Sequence, residues 1–263
     1  MAFGSIFHIF DQILLTGDII HLSFKNTFLT RLGFKILGIP HIGLRLRARK
    51  IKKNLPLQSM RMLDAGFGTG VYSFTFANIV KKIDAIEIDE EKINYVKQVN
   101  MFTNIDFQRM DLTDLTFEGS CFDLIICSDV LELIKNDREA FSELARVLDS
   151  GGTLLMTVPY DSDKNNDRYK ECGHERPGYA KKDVQDLCVK NNLTIVKSEV
   201  YSYNTAEKAL TLNYKYMNNK ILLGLLFYPL YITTLISEFL HSGSPNGIFF
   251  KIMKNNSNSI LES

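Results

Sequence analysis

The chain has 263 residues, 45% of them hydrophobic and 23% charged, with a formal net charge of +1 at pH 7. That length suits one α/β domain with appendages, and near-neutrality leaves no global field to steer a polyanion toward it. Cys121, Cys127, Cys172 and Cys188 show no paired spacing, which argues against a disulfide framework and for reduced thiols in a cytoplasmic chain.

The first predicted element is amphipathic, with Phe3, Phe7, Phe10 and Leu14 at helical spacing before Gly17. No basic region opens the chain, and Asp11 and Asp18 fall within it, so it does not read as a signal peptide. From Ile19 to Leu63 there are ten Lys and Arg and no Asp or Glu. Within that stretch "HIGLRLRARKIKKNL" (41–55) predicts a helix with Leu44, Ala48, Ile51 and Leu55 on one face. Arg45, Arg47, Arg49, Lys50, Lys52 and Lys53 fall elsewhere. Such a basic face is solvated, or meets anionic headgroups or an anionic acceptor. Aromatic residues are not interleaved with these bases, which argues against nucleic acid as a partner.

A short apolar strand, "MRML", then ends in Asp64 and opens a loop with Gly66, Gly68 and Gly70. Alternate glycines at a strand-to-helix turn let a ligand lie directly against the main chain. The dinucleotide fingerprint would need Gly or Ala where Val71 stands. "KKIDAIEIDEEKINYVKQVN" (81–100) predicts a second strand, Ile83 to Ile88, and a helix carrying Ile93, Val96 and Val99. Glu87 falls at the strand's end, where a carboxylate can accept bonds from both hydroxyls of a ribose. Asp89 is the alternative, although it and the acids after it also suit a helix start. "IDFQRMDLTDL" (105–115) predicts a third strand ending at Met110-Asp111-Leu112. "CFDLIICSDVLELI" (121–134) is nearly all apolar, as a strand buried on both faces should be. "AFSELARVLDSGGTLLMTVPY" (140–160) predicts a helix with Phe141, Leu144 and Leu148 on one face, a stop at Gly151-Gly152, and a fifth strand. Strands alternating with helices imply a parallel sheet.

These blocks, in this order and at these spacings, resemble class I S-adenosylmethionine (SAM)-dependent methyltransferases over about residues 60–200 and the final strand. The resemblance implies a Rossmann-like α/β fold with a seven-stranded, mostly parallel sheet and helices on both faces. It implies SAM as cofactor, with contacts from Asp64, Gly66, Phe67, Gly68, Gly70, Glu87, Ile88, Asp111, Leu112 and Ser128. Glu87 would take the ribose, and Asp111 the adenine amino group with Leu112 covering the ring. No Asn/Asp-Pro-Pro-aromatic signature follows the fourth strand, where "CSDVLE" stands, so amide-nitrogen or adenine methylation is disfavoured.

The expected layout is an N-terminal helical cap over 1–60, the SAM-binding core over 61–200, a hydrophobic helical insertion over 201–246, and a last strand and tail over 247–263. The insertion carries a stripe of Leu210, Tyr214 and Met217, then "ILLGLLFYPLYITTLIS" (221–237), 17 residues without a charge. That run is shorter than the roughly 20 residues of a comfortable membrane span, and Pro229 interrupts it. A cap helix or an in-plane apolar face fits it better. In open parallel sheets ligands bind beyond the carboxyl ends of the strands. The basic helix, the polar loop 159–184 and the insertion would cover that side, which suits a small or amphiphilic acceptor, lipid-like or sugar-lipid, and peripheral membrane contact.

Transfer to a hydroxyl needs a base, whereas transfer to an ionised carboxylate does not. Candidate bases are Asp129, Glu132, Tyr160, Asp161, His174 and His241, with Asp129, Tyr160 and His174 preferred; His174 stands in "HERPGY", which resembles a His-x-Arg segment that lines acceptor pockets in many small-molecule methyltransferases. Cys172 and His174 lack a second ligand pair, so no metal is expected. The expected activity is O-methylation of a small or amphiphilic acceptor. A protein or RNA methyltransferase and a non-catalytic, membrane-associated SAM-binding protein are the alternatives.

Overall fold

The computed structural model describes residues 42–161, 173–203, 208–209, 212, 220–241 and 243–256. The pattern at Phe3 to Leu14, Cys172, and the stripe of Leu210, Tyr214 and Met217 lie outside the described residues.

The elements are α1 (Ile42–Lys53), β1 (Ser59–Ala65), α2 (Val71–Phe76), β2 (Val80–Glu87), α3 (Glu90–Val99), β3 (Ile105–Arg109) and β4 (Phe122–Ser128). They continue with α4 (Asp137–Val147), β5 (Leu148–Pro159), α5 (Lys181–Lys190), β6 (Leu193–Tyr203), α6 (Lys220–Leu240) and β7 (Pro245–Lys254). The strands form one seven-stranded sheet in the order β3-β2-β1-β4-β5-β7-β6. β1 to β5 are parallel, and β7 runs antiparallel to both β5 and β6. The mostly parallel α/β sheet expected from the sequence is therefore the observed one, with an antiparallel return strand wedged between β5 and β6.

Apolar residues are consecutive in the central strands because both faces are covered. Neighbours point to opposite sides. Met62, Leu124, Ile126, Leu155 and Phe249 join the core shared with α1, α2 and α3. Leu63, Ile125, Leu154 and Phe250 join the core shared with α4 and α5. Asp84 is buried within β2 and is held by Arg61 at 2.8 Å and Lys82 at 3.4 Å, so its charge is paired.

Two boundaries differ from the sequence reading. β3 ends at Arg109, so Asp111 sits in a turn. α4 ends at Val147, before the glycine pair, when the Leu148 amide caps the Leu144 carbonyl. Leu148 thus opens β5 instead of closing the helical stripe. Asp89 is the N-cap of α3, where its carboxylate accepts from the Glu91 and Lys92 amides.

The basic segment is used differently from expectation. α1 packs Leu46, Ala48 and Ile51 into the core, with Leu44 and Leu55 half-buried against it. Lys50 pairs with Glu199 of β6 at 2.9 Å. The Arg45 guanidinium lies 4.3 Å from the centroid of the Tyr231 ring on α6. Only Arg49 and Lys53 of the six helical bases are exposed, so Arg45, Arg49 and Lys52 do not make one solvated face. α6 contains Pro229 and packs Leu230, Tyr231 and Leu235 on the same core, while Ile232, Ile236, Phe239 and Leu240 are exposed. No helix among the described residues is long and apolar enough to cross a membrane.

Gly247 lies in register with Pro159 and Tyr201, and a Cβ there would come within 2.5 Å of the Tyr201 ring. Gly247→Ala should cost about 1–3 kcal/mol by overpacking, and adding Tyr201→Leu should recover part of it. Denaturant unfolding of the single and double variants checks this; an unchanged midpoint for Gly247→Ala would show that the ring yields.

Candidate functional site

A cavity of about 700 Å³ opens at the carboxyl ends of the parallel strands. The loop between β1 and α2 forms its floor. Gly66, Gly68 and Gly70 all have positive φ, which explains their residue type. The Gly66 and Phe67 amides bond to the Ile86 carbonyl at 2.9 and 3.0 Å, tying the loop to β2. At Gly66 and Gly70 an added Cβ would strike Val130 and Phe74, respectively. At Gly68 it would meet no protein atom within 4 Å. The middle glycine therefore faces space, whereas at Gly66 and Gly70 packing leaves no room for a side chain.

Glu87 closes this corner. Its Oε2 accepts from the Gly68 amide at 3.0 Å, and its Oε1 from the Ile88 and Asp89 amides at 3.0 and 3.3 Å. Two carboxylate oxygens offer about four lone-pair sites, and the three amides leave about one for a ribose hydroxyl. On the next strand end, Asp111 gives Oδ1 to the amide and hydroxyl of Thr113, at 2.9 and 2.8 Å. Met110, Ile88 and Leu112 line the cavity beside these acids, an apolar shelf of the kind a purine ring requires. An acid at the strand end, a main-chain cradle open at Gly68 and this shelf fit an adenosyl ligand.

The other candidate contacts separate into two groups. Gly66, Phe67 and Ser128 also line the cavity, with the Phe67 ring edge-on to Phe107 at 5.0 Å. Asp64 and Gly70 do not; they stand behind the loop. Asp64 is buried, and one oxygen takes both the amide and the hydroxyl of Ser73, at 2.9 and 2.6 Å, which fixes the start of α2 beneath the loop.

Beyond the cofactor corner the cavity has a polar chain and apolar walls. Tyr72 Oη lies 3.1 Å from Ser128 Oγ, which lies 2.8 Å from Thr157 Oγ1. The Thr157 hydroxyl bonds to Asp129 Oδ1 at 3.0 Å, and Asp129 Oδ2 pairs with Arg47 at 2.7 Å. Burial pushes the Tyr72 phenol up to about 12, so it stays neutral. Glu132 is 1% exposed, and burial together with the Asp129 charge holds its acid well above the usual carboxylate range. Leu44, Val130, Leu133 and Ile134 supply the walls.

Of the candidate bases, Asp129 lines the cavity, while Tyr160 and His174 do not. Tyr160 bridges by its backbone to Tyr179. Burial lowers the pKa of His174, against a raising effect from Asp129. Arg176, from the same "HERPGY" stretch, pairs with Asp137 at 2.8 Å and Asp183 at 3.3 Å and so braces the loop. Arg47, Leu44 and Tyr72 were missed as cavity residues. Nothing in the helical spacing separates Arg47 from Arg45 or Arg49; the one available signal for Tyr72 was its place two residues after Gly70.

Comparison with known proteins agrees with this geometry. Residues 63–156 match the methyltransferase domain family. That stretch is a methyltransferase domain, and the sheet around it has the Rossmann-like methyltransferase fold. The family implies SAM as the cofactor.

The domain is 26% identical over 117 residues to a ubiquinone biosynthesis O-methyltransferase of Coxiella burnetii, covering 43% of this chain and 49% of that protein. YqeM of Bacillus subtilis, a methyltransferase by name, is 32% identical over 113 residues, 41% of this chain and 45% of its own. The match thus spans about half the length of these relatives. Among solved structures, a Haemonchus contortus phosphoethanolamine N-methyltransferase 2, in complex with S-adenosylhomocysteine, is similar with a TM-score of 0.61 and 18% identity. That similarity covers 94% of this chain and 61% of the other. The [4+2]-cyclase SpnF is similar with a TM-score of 0.58, 18% identity and 81% coverage of each chain. At these identities the structural likeness shows the methyltransferase fold alone.

Two measurements test the site. Gly68→Ala should weaken S-adenosylhomocysteine binding by about tenfold or more, because its methyl enters ligand space, at a stability cost of about 1–2 kcal/mol for the left-handed backbone. Glu87→Ala should lose about 1–3 kcal/mol of binding. Unchanged calorimetric affinity in both would contradict the assignment.

The second concerns Asp64. Burial raises its acid from 3.8 to about 6, outweighing the bonds from Ser73, so folding favours the protonated form. That contribution is complete below about pH 4 and is lost as pH rises through about 6, some 3 kcal/mol in all. Asp64→Asn keeps a single oxygen for both Ser73 bonds and carries no charge. It should flatten the stability profile between pH 4 and 6.5 without loss at pH 7.5; a profile as steep as that of the unmodified protein would place the titration elsewhere.

Proposed function

We propose that this protein transfers the methyl group of SAM to an oxygen of a small or amphiphilic acceptor, lipid-like or sugar-lipid. The observation that carries the reading is the cradle at Gly68 and Glu87, continuous with a chamber that has apolar walls and a polar end. SAM supplies an electrophilic methyl group on a sulfonium leaving group, so positioning provides most of the acceleration. Gly66, Gly68, Glu87, Asp111 and Leu112 hold the adenosyl part, with Phe67, Ile88 and Ser128 beside it; Asp64 and Gly70 shape the loop from behind. The apolar residues Leu44, Leu133 and Ile134 exclude water from the acceptor side.

A hydroxyl acceptor must lose a proton, and Asp129, the candidate base on the chamber lining, is the group proposed to take it. An ionised carboxylate requires no base. The 26% likeness to a ubiquinone biosynthesis O-methyltransferase is consistent with oxygen as the acceptor atom.

The same reading includes peripheral contact between a cytoplasmic protein and an anionic membrane. Ile232, Ile236, Phe239 and Leu240 recur at four-, seven- and eight-residue spacing, so they form one exposed apolar stripe. The Arg45–Tyr231 contact puts the basic helix beside that element, and anionic surfaces attract Lys and Arg by about 1 kcal/mol each.

With radiolabelled SAM and host lysate, label should enter the lipid or small-molecule fraction. Label in protein or RNA, or none anywhere, would favour the alternatives. The chain should pellet with anionic vesicles at low salt and release as salt rises, and Ile236→Asp with Phe239→Asp should abolish pelleting while leaving S-adenosylhomocysteine affinity intact. Failure to pellet would leave α6 as a lid.

A further inference from the structure

Resting on the methyl-transfer reading, we propose that the acceptor arrives already ionised, as an amphiphilic carboxylate, and that Arg47 is the residue that binds its anionic oxygen.

Two features of the chamber support this. The first is how its acids are engaged. Asp129 gives Oδ1 to Thr157 and Oδ2 to Arg47. Glu87 and Asp111 belong to the cofactor corner, where both accept main-chain bonds. The Tyr72 phenol shares a hydrogen bond with Ser128 and stays neutral. Glu132, though close enough to sense Asp129, does not line the chamber, and neither does His174. Glu175 is the remaining acid on the lining, and it is exposed at the rim. Among the described residues, then, no imidazole lines the chamber and its inner carboxylate is engaged. Such an arrangement is poorly made to remove a proton and well made for an acceptor that has none to lose.

The second is where the cation stands. Arg47 comes from α1, outside the parallel core, and reaches the carboxyl end of β4 to meet Asp129. Its side chain is 22% exposed and that of Asp129 is 29% exposed, so the pair faces the chamber and can exchange partners with an entering anion. Leu44, one turn earlier on α1, and Leu133 and Ile134 across the chamber offer an apolar path leading to that cation. Lys92 and Lys135 also line the cavity, but Lys92 pairs with Asp89 near the cofactor corner and Lys135 is exposed. A planar guanidinium matches a carboxylate in geometry as well as in charge.

The chemistry balances without a base. A carboxylate oxygen forms a bond to the methyl carbon. The carbon–sulfur bond breaks and its electron pair stays on sulfur. One negative and one positive charge disappear, leaving a methyl ester and a neutral thioether. Asp129 acts here as a positioning residue: it holds the guanidinium in place until the acceptor shares or replaces that contact.

The test is calorimetry on the full chain loaded with S-adenosylhomocysteine, using decanoate, decanol and decylamine below their aggregation concentrations. Decanoate should bind about tenfold or more tighter than the other two. Arg47→Gln should remove that preference, Arg47→Lys should restore part of it, and Asp129→Asn should tighten decanoate because a competitor for the guanidinium is gone. S-adenosylhomocysteine affinity should be equal in all variants, which shows that the cofactor corner has kept its form. Absence of saturable decanoate binding, equal binding of decanol, preference for decylamine, or full decanoate affinity in Arg47→Gln overturns the proposal. If S-adenosylhomocysteine itself does not bind, the methyl-transfer reading fails. The panel on the unloaded chain then decides the carboxylate site independently, because an Arg47-dependent preference for decanoate would uphold it and the lack of one would sink it.

Discussion

The Glu87 carboxylate ties together the parts on which this site depends. It sits where β2 ends, accepts the Gly68 amide on one oxygen and the Ile88 and Asp89 amides on the other, and so joins the β1–α2 loop to the β2–α3 turn. A carboxylate bonded by several amides forms charge-assisted hydrogen bonds, stronger than neutral ones. Glycine loses more conformational freedom on folding than any other residue, and these bonds help to hold a loop with three glycines of positive φ. Held in this way, the loop presents a main-chain surface with open space above Gly68.

The remaining walls follow from that floor. A parallel sheet places the carboxyl ends of β1, β2 and β4 side by side, so what leaves those ends must face one opening. Asp129, just past β4, has φ near 54°, and its amide bonds the Thr157 carbonyl on β5 at 2.9 Å. That aims the next residues back over the loop, where Val130 fills the space Gly66 leaves. α1 closes the far side through apolar contact with the core and through the Arg47 and Lys50 ion pairs. Partly exposed pairs of this kind contribute modestly to stability, so burial of Leu46 and Ile51 holds the helix, and the ion pairs set its register over the chamber.

This division separates the fold from the reaction. The cofactor corner is built from strand ends and loop backbone, which the Rossmann-like topology supplies wherever it occurs. The rest of the chamber is built from α1 and the residues after β4, which lie outside the parallel strands themselves. A [4+2]-cyclase with the same architecture illustrates the point, since its name describes a different reaction. The chemistry of this chain is therefore to be sought in Arg47, Asp129, Tyr72 and the apolar walls more than in the glycines.

The sequence alone determined the sheet, the order of its elements and the placing of Glu87 beside the glycine loop, because these are local properties. Apolar runs, a glycine-rich turn and an acid at a strand end fall within 30 residues of one another, and the backbone geometry they demand is short-range. Even there, periodicity could not say that Asp64 points under the loop to Ser73, because that depends on where α2 settles. The chamber was beyond local reading. Arg47 is one base among six on a 12-residue helix, and only the packing of Leu46 and Ile51 against the sheet turns it, and not Arg49, toward Asp129, 82 residues away. The apolar run at 221–237 likewise read as one hydrophobic block. The tertiary structure divided it into Leu230, Tyr231 and Leu235 facing the core and Ile232 and Ile236 facing outward, because a helix laid on a curved core can bury only one of its sides.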